Sequence, residues 1–317
     1  MKIGLDIGST TIKCVVLDDA LNITYKTYER HFSHIVEKAA ELVQRMHTEV
    51  LHGAPAQLSI SGSAGMGLAD ACGVPFVQEV FATRVAAKRY APDANVVIEL
   101  GGEDAKILFL TGGTEVRMNG SCAGGTGAFI DEVASILKVP VEELNALAEK
   151  GGFTYDISGR CGVYAKTDIQ PLLNQGVARA DLALSSFHAI AKQTIGGLAQ
   201  GLEIRKPVAF EGGPLTFNPT LIQVFAKRLK LSGEDVIIPE RPELMVACGA
   251  AISLESMFEN RKRILDTGEL LETLRSPSFQ AKSGQGEEAR PFFASEEEKA
   301  AFEKRHEKAS RQWKKPR

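Results

Sequence analysis

KIGLDIGSTTIKCVVL, residues 2–17, runs as an apolar strand to Asp6, turns through Gly8-Ser9-Thr10, and resumes as a second apolar run. The pattern predicts two strands joined by a glycine hairpin, and NITYKTY at 22–28 reads as a third strand of the same meander. Shifted by 93 positions it returns as VVIELGGEDAKILFL (96–110) and TEVRM (114–118), so that Asp6 falls on Glu99, Gly8 on Gly101 and Lys13 on Lys106. Either hairpin alone is an ordinary turn. An acid, a glycine and a lysine repeated at one offset imply two similar half-domains, each presenting a carboxylate at a strand end and outward-facing backbone N–H groups. Two such hairpins face to face would grip phosphates. Their carboxylates, repelled by phosphate oxygens, would instead hold a hydrated Mg²⁺.

A third glycine turn lies in AFEGGPLTFNPTLIQVF (209–225), where Gly212 and Gly213 let the backbone approach a flat ligand between a predicted strand and a predicted helix. Further on, ELMVACGAAISLES (243–256) reads as a small-residue helix suited to tight packing. The 317 residues are enough for two domains, and 44% hydrophobic with 24% charged residues is ordinary for a globular protein. A formal net charge of −3 gives no global reason to expect nucleic acid or an anionic membrane as partner. The N-terminus lacks the features of a signal peptide and no run is long enough to span a bilayer, so a cytoplasmic location is expected. Five scattered cysteines, Cys14, Cys72, Cys122, Cys161 and Cys248, argue against a disulfide framework.

In this order the motifs resemble the acetate and sugar kinase, heat-shock protein 70 and actin superfamily, over about the first 258 residues. The resemblance implies an α/β, actin-like ATPase fold with two duplicated half-domains and a nucleotide cleft between them: 1–94, 95–258, and a charged helical tail or linker at 259–317. By that likeness DIGSTTIK is the first phosphate loop, with Gly8, Ser9, Thr10, Thr11 and Lys13 as candidate ATP contacts. The helix near EVFATRVAAKRY is the first connector, ELGGEDAK the second phosphate loop with Gly101, Gly102 and Asp104, FEGGPL the adenosine loop with Gly212 and Gly213, and VACGAA the second connector. Asp6 and Glu99 are the candidate catalytic acids, orienting Mg²⁺ and water, while Lys13 offsets charge developing in phosphoryl transfer.

NGSCAGGTGAFIDEVASIL (119–137) and SGRCGVYAKTDIQPLLNQGV (158–177) each put a cysteine just before a predicted helix, where free N–H groups and the helix dipole favour a thiolate. From the residues alone, Cys122 is equally a small apolar filler. Together the two segments resemble the cluster motifs of the ATP-dependent activators of 2-hydroxyacyl-CoA dehydratases and benzoyl-CoA reductases, the BadF/BadG/BcrA/BcrD ATPase family. The resemblance implies that Cys122 and Cys161 hold half of a [4Fe–4S] cluster shared between two subunits. It implies an electron passed to an acyl-CoA dehydratase or reductase component, with ferredoxin or flavodoxin as reductant, and a homodimer or a pseudo-dimer with a second activase module. The chain is also similar to the N-terminal activase module of large fused proteins. The family's second phosphate loop commonly reads DIGGQD; here Glu99 and Glu103 stand in place of aspartate and glutamine, and Glu103, a candidate catalytic residue, lacks the amide donor a glutamine would offer the attacking water.

Cys14 and Cys248 read as packed small side chains and Cys72 as lying near a turn. His31 and His34 sit one helical turn apart in a polar stretch and read as a solvated face, while His188 reads as packed or half-buried. After Met257, RKRILDTGELLETL reads as a helix, KSGQGEEARP as a linker and ASEEEKAAFEKRHEKASRQWKKPR as a charged helix. A sugar kinase of the N-acetylglucosamine kinase type is the main alternative, since it uses the same clamp without sulfur-bound metal. An actin-like scaffold is a third possibility.

Overall fold

The computed structural model describes residues 1–120, 123–256, 266–276 and 292–312. Two compact units make up the chain, Met1–Ser276 and Pro277–Arg317. In the second, the helix Glu296–Gln312 opens beside a small aromatic cluster in which Phe293 packs on both Phe292 and Phe302. Its start is capped by Ser295, whose hydroxyl accepts from the Glu298 N–H.

Among the described residues the first unit contains nine strands: β1 (Lys2–Ile7), β2 (Thr11–Leu17), β3 (Ile23–Arg30), β4 (Gln57–Ser61), β5 (Val96–Leu100), β6 (Ala105–Phe109), β7 (Glu115–Met118), β8 (Val208–Glu211) and β9 (Val236–Ile237). They form two sheets, ordered β3-β2-β1-β4 and β7-β6-β5-β8-β9. In each, a three-strand antiparallel meander is joined by a parallel strand, β4 on β1 and β8 on β5. The repeat read at an offset of 93 is thus a repeat of topology. Its detail also matches: the Gly8 N–H donates to the Thr11 carbonyl at 3.0 Å, and the Gly101 N–H to the Asp104 carbonyl at 2.7 Å.

In the first half the strands alternate with α1 (Ile35–Arg45), α2 (Met66–Ala71) and α3 (Glu79–Tyr90). In the second come α4 (Gly127–Leu137), α5 (Leu144–Ala148), α6 (Gly162–Asn174), α7 (Arg179–Thr194), α8 (Gly213–Thr216), α9 (Pro219–Leu229), α10 (Met245–Ser256) and α11 (Thr267–Arg275). β1 and β5 are buried almost throughout, as expected of central strands covered on both faces. The larger core lies between the second sheet and α4 to α9, around Phe129, Phe187, Phe210 and Phe225.

α10 follows the second sheet in sequence but packs on β1, β4 and α3 of the first. Its small residues make this possible: a Cβ at Gly249 would lie 1.9 Å from the Ala82 carbonyl oxygen. α11 also returns to the first half and packs on α1, burying Leu270, Leu271 and Leu274. His47 Nδ1 lies 2.7 Å from the Thr267 hydroxyl. The described part of the segment read as a helix after Met257 is helical over Thr267–Arg275 and belongs to the first unit. The predicted linker KSGQGEEARP lies outside the described residues. No described helix is long and apolar enough to cross a membrane.

Candidate functional site

The strand ends meet at a cleft between the two sheets. β1 delivers Asp6, β5 Glu99 and β8 Glu211, and Glu99 and Glu211 are register partners on adjacent parallel strands. Lys13, paired with Asp6 across the first hairpin, donates to Asp6 Oδ2 at 2.8 Å. Lys106, paired in the same way with Glu99, is fully enclosed by three carboxylates: Asp104 at 2.7 Å, Glu79 at 2.8 Å and Glu99 at 3.2 Å. The Thr83 hydroxyl holds the other Glu99 oxygen at 2.9 Å. The repeat therefore yields two lysines with different surroundings: Lys13 lines the cleft, while Lys106 is consumed in a buried network.

This network governs the ionisation of its members. Burial opposes the Lys106 charge, but Glu99, Glu79 and Asp104 outweigh it and hold its pKa well above the ordinary value. Lys13 is raised in the same sense, burial being overcome by Asp6. Burial, with Glu99, Asp6 and Asp104 close by, pushes Glu79 up to about 7 against the pull of Lys106. Glu211 is completely buried, neither of its oxygens has a hydrogen-bond partner, and burial together with Glu99 raises its pKa well above the carboxylate range. Asp6 Oδ1 is likewise buried without a partner.

The glycine turns close on the same space. Gly8, Ser9, Thr10 and Thr11 line it from the first half, Gly101, Gly102 and Asp104 from the second, and Gly212 and Gly213 from the β8–α8 turn. The first two glycine turns touch, since a Cβ at Gly102 would lie 2.2 Å from Thr10 Oγ1. Gly212 has φ +96°, and a Cβ there would meet the Leu100 carbonyl oxygen at 2.0 Å, so this turn admits no side chain. Glu103 is exposed and its side chain is not among those lining the cleft; its carbonyl accepts from Asn119 Nδ2 at 3.2 Å.

Four titratable residues lining the cleft lie outside the sequence reading: Tyr28, Glu79, Glu211 and Glu243. Tyr28 and Glu243 carry no signal of their own, whereas Glu79 opens EVFATRVAAKRY and Glu211 stands in FEGGPL, each an acid at the end of an apolar or helical motif. His31 requires a correction. It is buried, not part of a solvated face: Nδ1 accepts from the Ser33 N–H at 3.1 Å, which leaves the Nε2 proton to be donated to the Gly8 carbonyl at 2.9 Å. The imidazole thus braces the first glycine turn from behind.

Cys122 lies outside the described residues. The turn that follows it presses on the turn before Cys161, because a Cβ at Gly124 would lie 1.8 Å from the Arg160 carbonyl oxygen. Cys161 is half-buried and is the N-cap residue of α6. Cys14 and Cys248 are buried, and burial pushes Cys248 up to about 12; Cys72 is half-buried and its thiol is raised to about 11 by the same cause. Among the described residues no three His, Cys, Asp or Glu side chains converge as a metal site.

Comparison with known proteins places this architecture. The chain is 31% identical over 218 residues to the (R)-2-hydroxyglutaryl-CoA dehydratase activating ATPase of Acidaminococcus fermentans, covering 67% of this chain and 82% of that protein. It is 26% identical over 271 residues to the 2-hydroxyisocaproyl-CoA dehydratase activator of Clostridioides difficile, 82% of this chain and 97% of that one. Among solved structures, the activator of the 2-hydroxyisocaproyl-CoA dehydratase from Clostridium difficile with bound ADPNP superposes with a TM-score of 0.68 at 23% identity, covering 91% of this chain and 99% of that one, and shares the actin-like ATPase fold. The sequence profile of one family matches residues 3–253, a span that holds both acidic hairpins, the third glycine turn and the Cys161 turn, and by that match the chain belongs to the BadF/BadG/BcrA/BcrD ATPase family.

Proposed function

We propose that this protein hydrolyses ATP to drive electron delivery to an acyl-CoA dehydratase or reductase. The observation that carries the reading is the contact of the two matched turns, Thr10 on Gly102, with an acid at the root of each. Backbone N–H groups there would hold the β- and γ-phosphates, and the apolar cavity of about 360 Å³ beside them, walled by Ile130, Pro214 and Phe217, would take the adenosine next to Gly213. Asp6 Oδ1, buried and unpaired, fits a cation-bound water, so Asp6 would hold hydrated Mg²⁺, with Glu99, whose oxygens already accept from Thr83 and Lys106, lining the same cleft as its second carboxylate. Mg²⁺, when bound, neutralises phosphate charge. Asp6 would orient the attacking water and accept its proton, while Lys13 stays charged beside it to offset negative charge on the transferred phosphoryl group. Glu103, exposed at the rim, would act at most through its backbone.

For sulfur chemistry the donor set fits half of a site. One chain offers Cys161 at a helix N-cap and, in sequence, Cys122 two residues before Gly124, which packs on the turn leading into Cys161, so four thiolates require a second copy or a second activase module. A [4Fe–4S] cluster held there supplies a one-electron, low-potential donor, with ferredoxin or flavodoxin as the upstream reductant. Val163 and Tyr164, exposed on the first turn of α6, would lie at the seam between the copies. The half-domain limits 1–94 and 95–258 and a cytoplasmic location are part of the same proposal.

Anaerobic purification with an iron assay and a visible spectrum tests it. A brown protein, bleached by dithionite and hydrolysing MgATP, is the expected result. A colourless protein without iron that phosphorylates an amino sugar would overturn the reading in favour of a kinase.

A further inference from the structure

The mouth of the cavity beside the cleft is bridged by one strand. Tyr28 and Arg30, two apart on the edge strand β3 and hence on one face, both reach the second half. The Tyr28 ring meets Phe217 edge-on at 5.3 Å, and its hydroxyl sits where a Cβ on Gly213 would be 2.3 Å away. Arg30 spans to α4 with two parallel hydrogen bonds, Nη1 to Asp131 Oδ2 at 3.1 Å and Nη2 to Asp131 Oδ1 at 3.0 Å. This fork-on-carboxylate geometry is the form of surface ion pair that holds direction as well as charge.

α4 has few ways to move without disturbing its neighbours. Its first two amides are not free: the Gly127 N–H donates to the Gly101 carbonyl at 2.9 Å and the Ala128 N–H to the Gly102 carbonyl at 2.7 Å, which ties the helix to the second glycine turn. Asp131 then faces Arg30, and the next residue, Glu132, faces α6, where a Cβ at Gly162 would lie 2.3 Å from Glu132 Cγ. Gly162 follows Cys161. Packing this close transmits a shift instead of absorbing it.

We propose that the Arg30–Asp131 ion pair is a latch that holds the cleft shut over bound nucleotide and relays that closure through α4 to the Cys161 turn. The inference rests on the nucleotide reading above; Arg30 and Asp131 are positioning residues within it. Glu142 also lines the cavity and acts electrostatically on Arg30, so alanine at 131 would leave Arg30 a substitute partner and charge reversal is the sharper change.

The test uses the full chain and a fluorescent methylanthraniloyl ADP with Mg²⁺. Arg30→Asp and Asp131→Arg should each speed nucleotide dissociation about three- to tenfold, and the double reversal should return it to within about twofold of wild type. Amide hydrogen exchange in the peptide spanning residues 159–168, at saturating nucleotide, should slow in wild type and in the double variant but not in either single one. Single variants that keep the wild-type dissociation rate, a double variant no better than the singles, or an exchange response that survives Arg30→Asp would overturn the latch. Absence of any nucleotide binding by the wild-type chain would instead bring down the nucleotide reading, and the latch with it.

Discussion

Glu211 is the least satisfied side chain of the cleft, since a buried carboxylate with no donor is costly when charged. Its folded pKa is raised, so the folded state binds the proton more tightly than the unfolded state does. The associated stability is complete below the ordinary carboxylate range and drains away as pH rises toward the raised value; Glu79, lifted to about 7, acts in the same direction. Urea midpoints of the nucleotide-free protein should therefore fall between about pH 5 and about pH 8, and Glu211→Gln should flatten that slope. An unaltered slope would mean that Glu211 is not the group that titrates. Gly102 makes the opposite kind of demand, for the absence of atoms. Valine there has no room against Thr10, so Gly102→Val should cut MgATP turnover by at least about a hundredfold while circular dichroism stays native, and turnover within a few fold would remove this contact from the proposal.

Among the elements, α11 shows why chain composition is a poor guide to where a domain stops. The charge density rises after Met257, yet Leu270, Leu271 and Leu274 return to α1 as a buried stripe. A chain ending at Ser276 should match the full chain in thermal stability. Ending it at residue 258 should cost at least about 2 kcal/mol, read as a lowered urea midpoint, because the face of α1 that the three leucines cover is exposed. Equal stability of the two truncations would show that the helix merely rests on the surface.

For the assembled protein, iron content and quaternary state should move together. On the proposed reading each chain would contribute Cys122 and Cys161, so roughly four irons per two chains are expected, and Cys161→Ala should remove the colour and weaken the dimer while nucleotide binding survives. Cys14→Ala and Cys248→Ala, changes at buried positions away from the cysteine turns, should keep the iron in whatever protein folds. Iron retained by a monomer, read by sedimentation with metal analysis, would exclude a site shared between copies.

The strand pattern, the 93-residue repeat and the three glycine turns were all legible in the chain, because strand alternation and turn chemistry are local and a duplication preserves spacing. The residues of the three glycine turns line one cleft in the structure. What was not legible depends on partners far away in sequence. Arg30 and Asp131 are 101 positions apart, and His31 is buried only because the turn at Gly8 folds over it. Lys13 and Lys106 occupy equivalent places in the repeat, but Glu79 and Asp104 enclose the second and leave the first facing the cleft. Covalent order sets hydrophobic period and turn geometry; charge, burial and reach across a cleft arise only when separate segments meet, since the energy of a buried charge is set by whatever surrounds it in space.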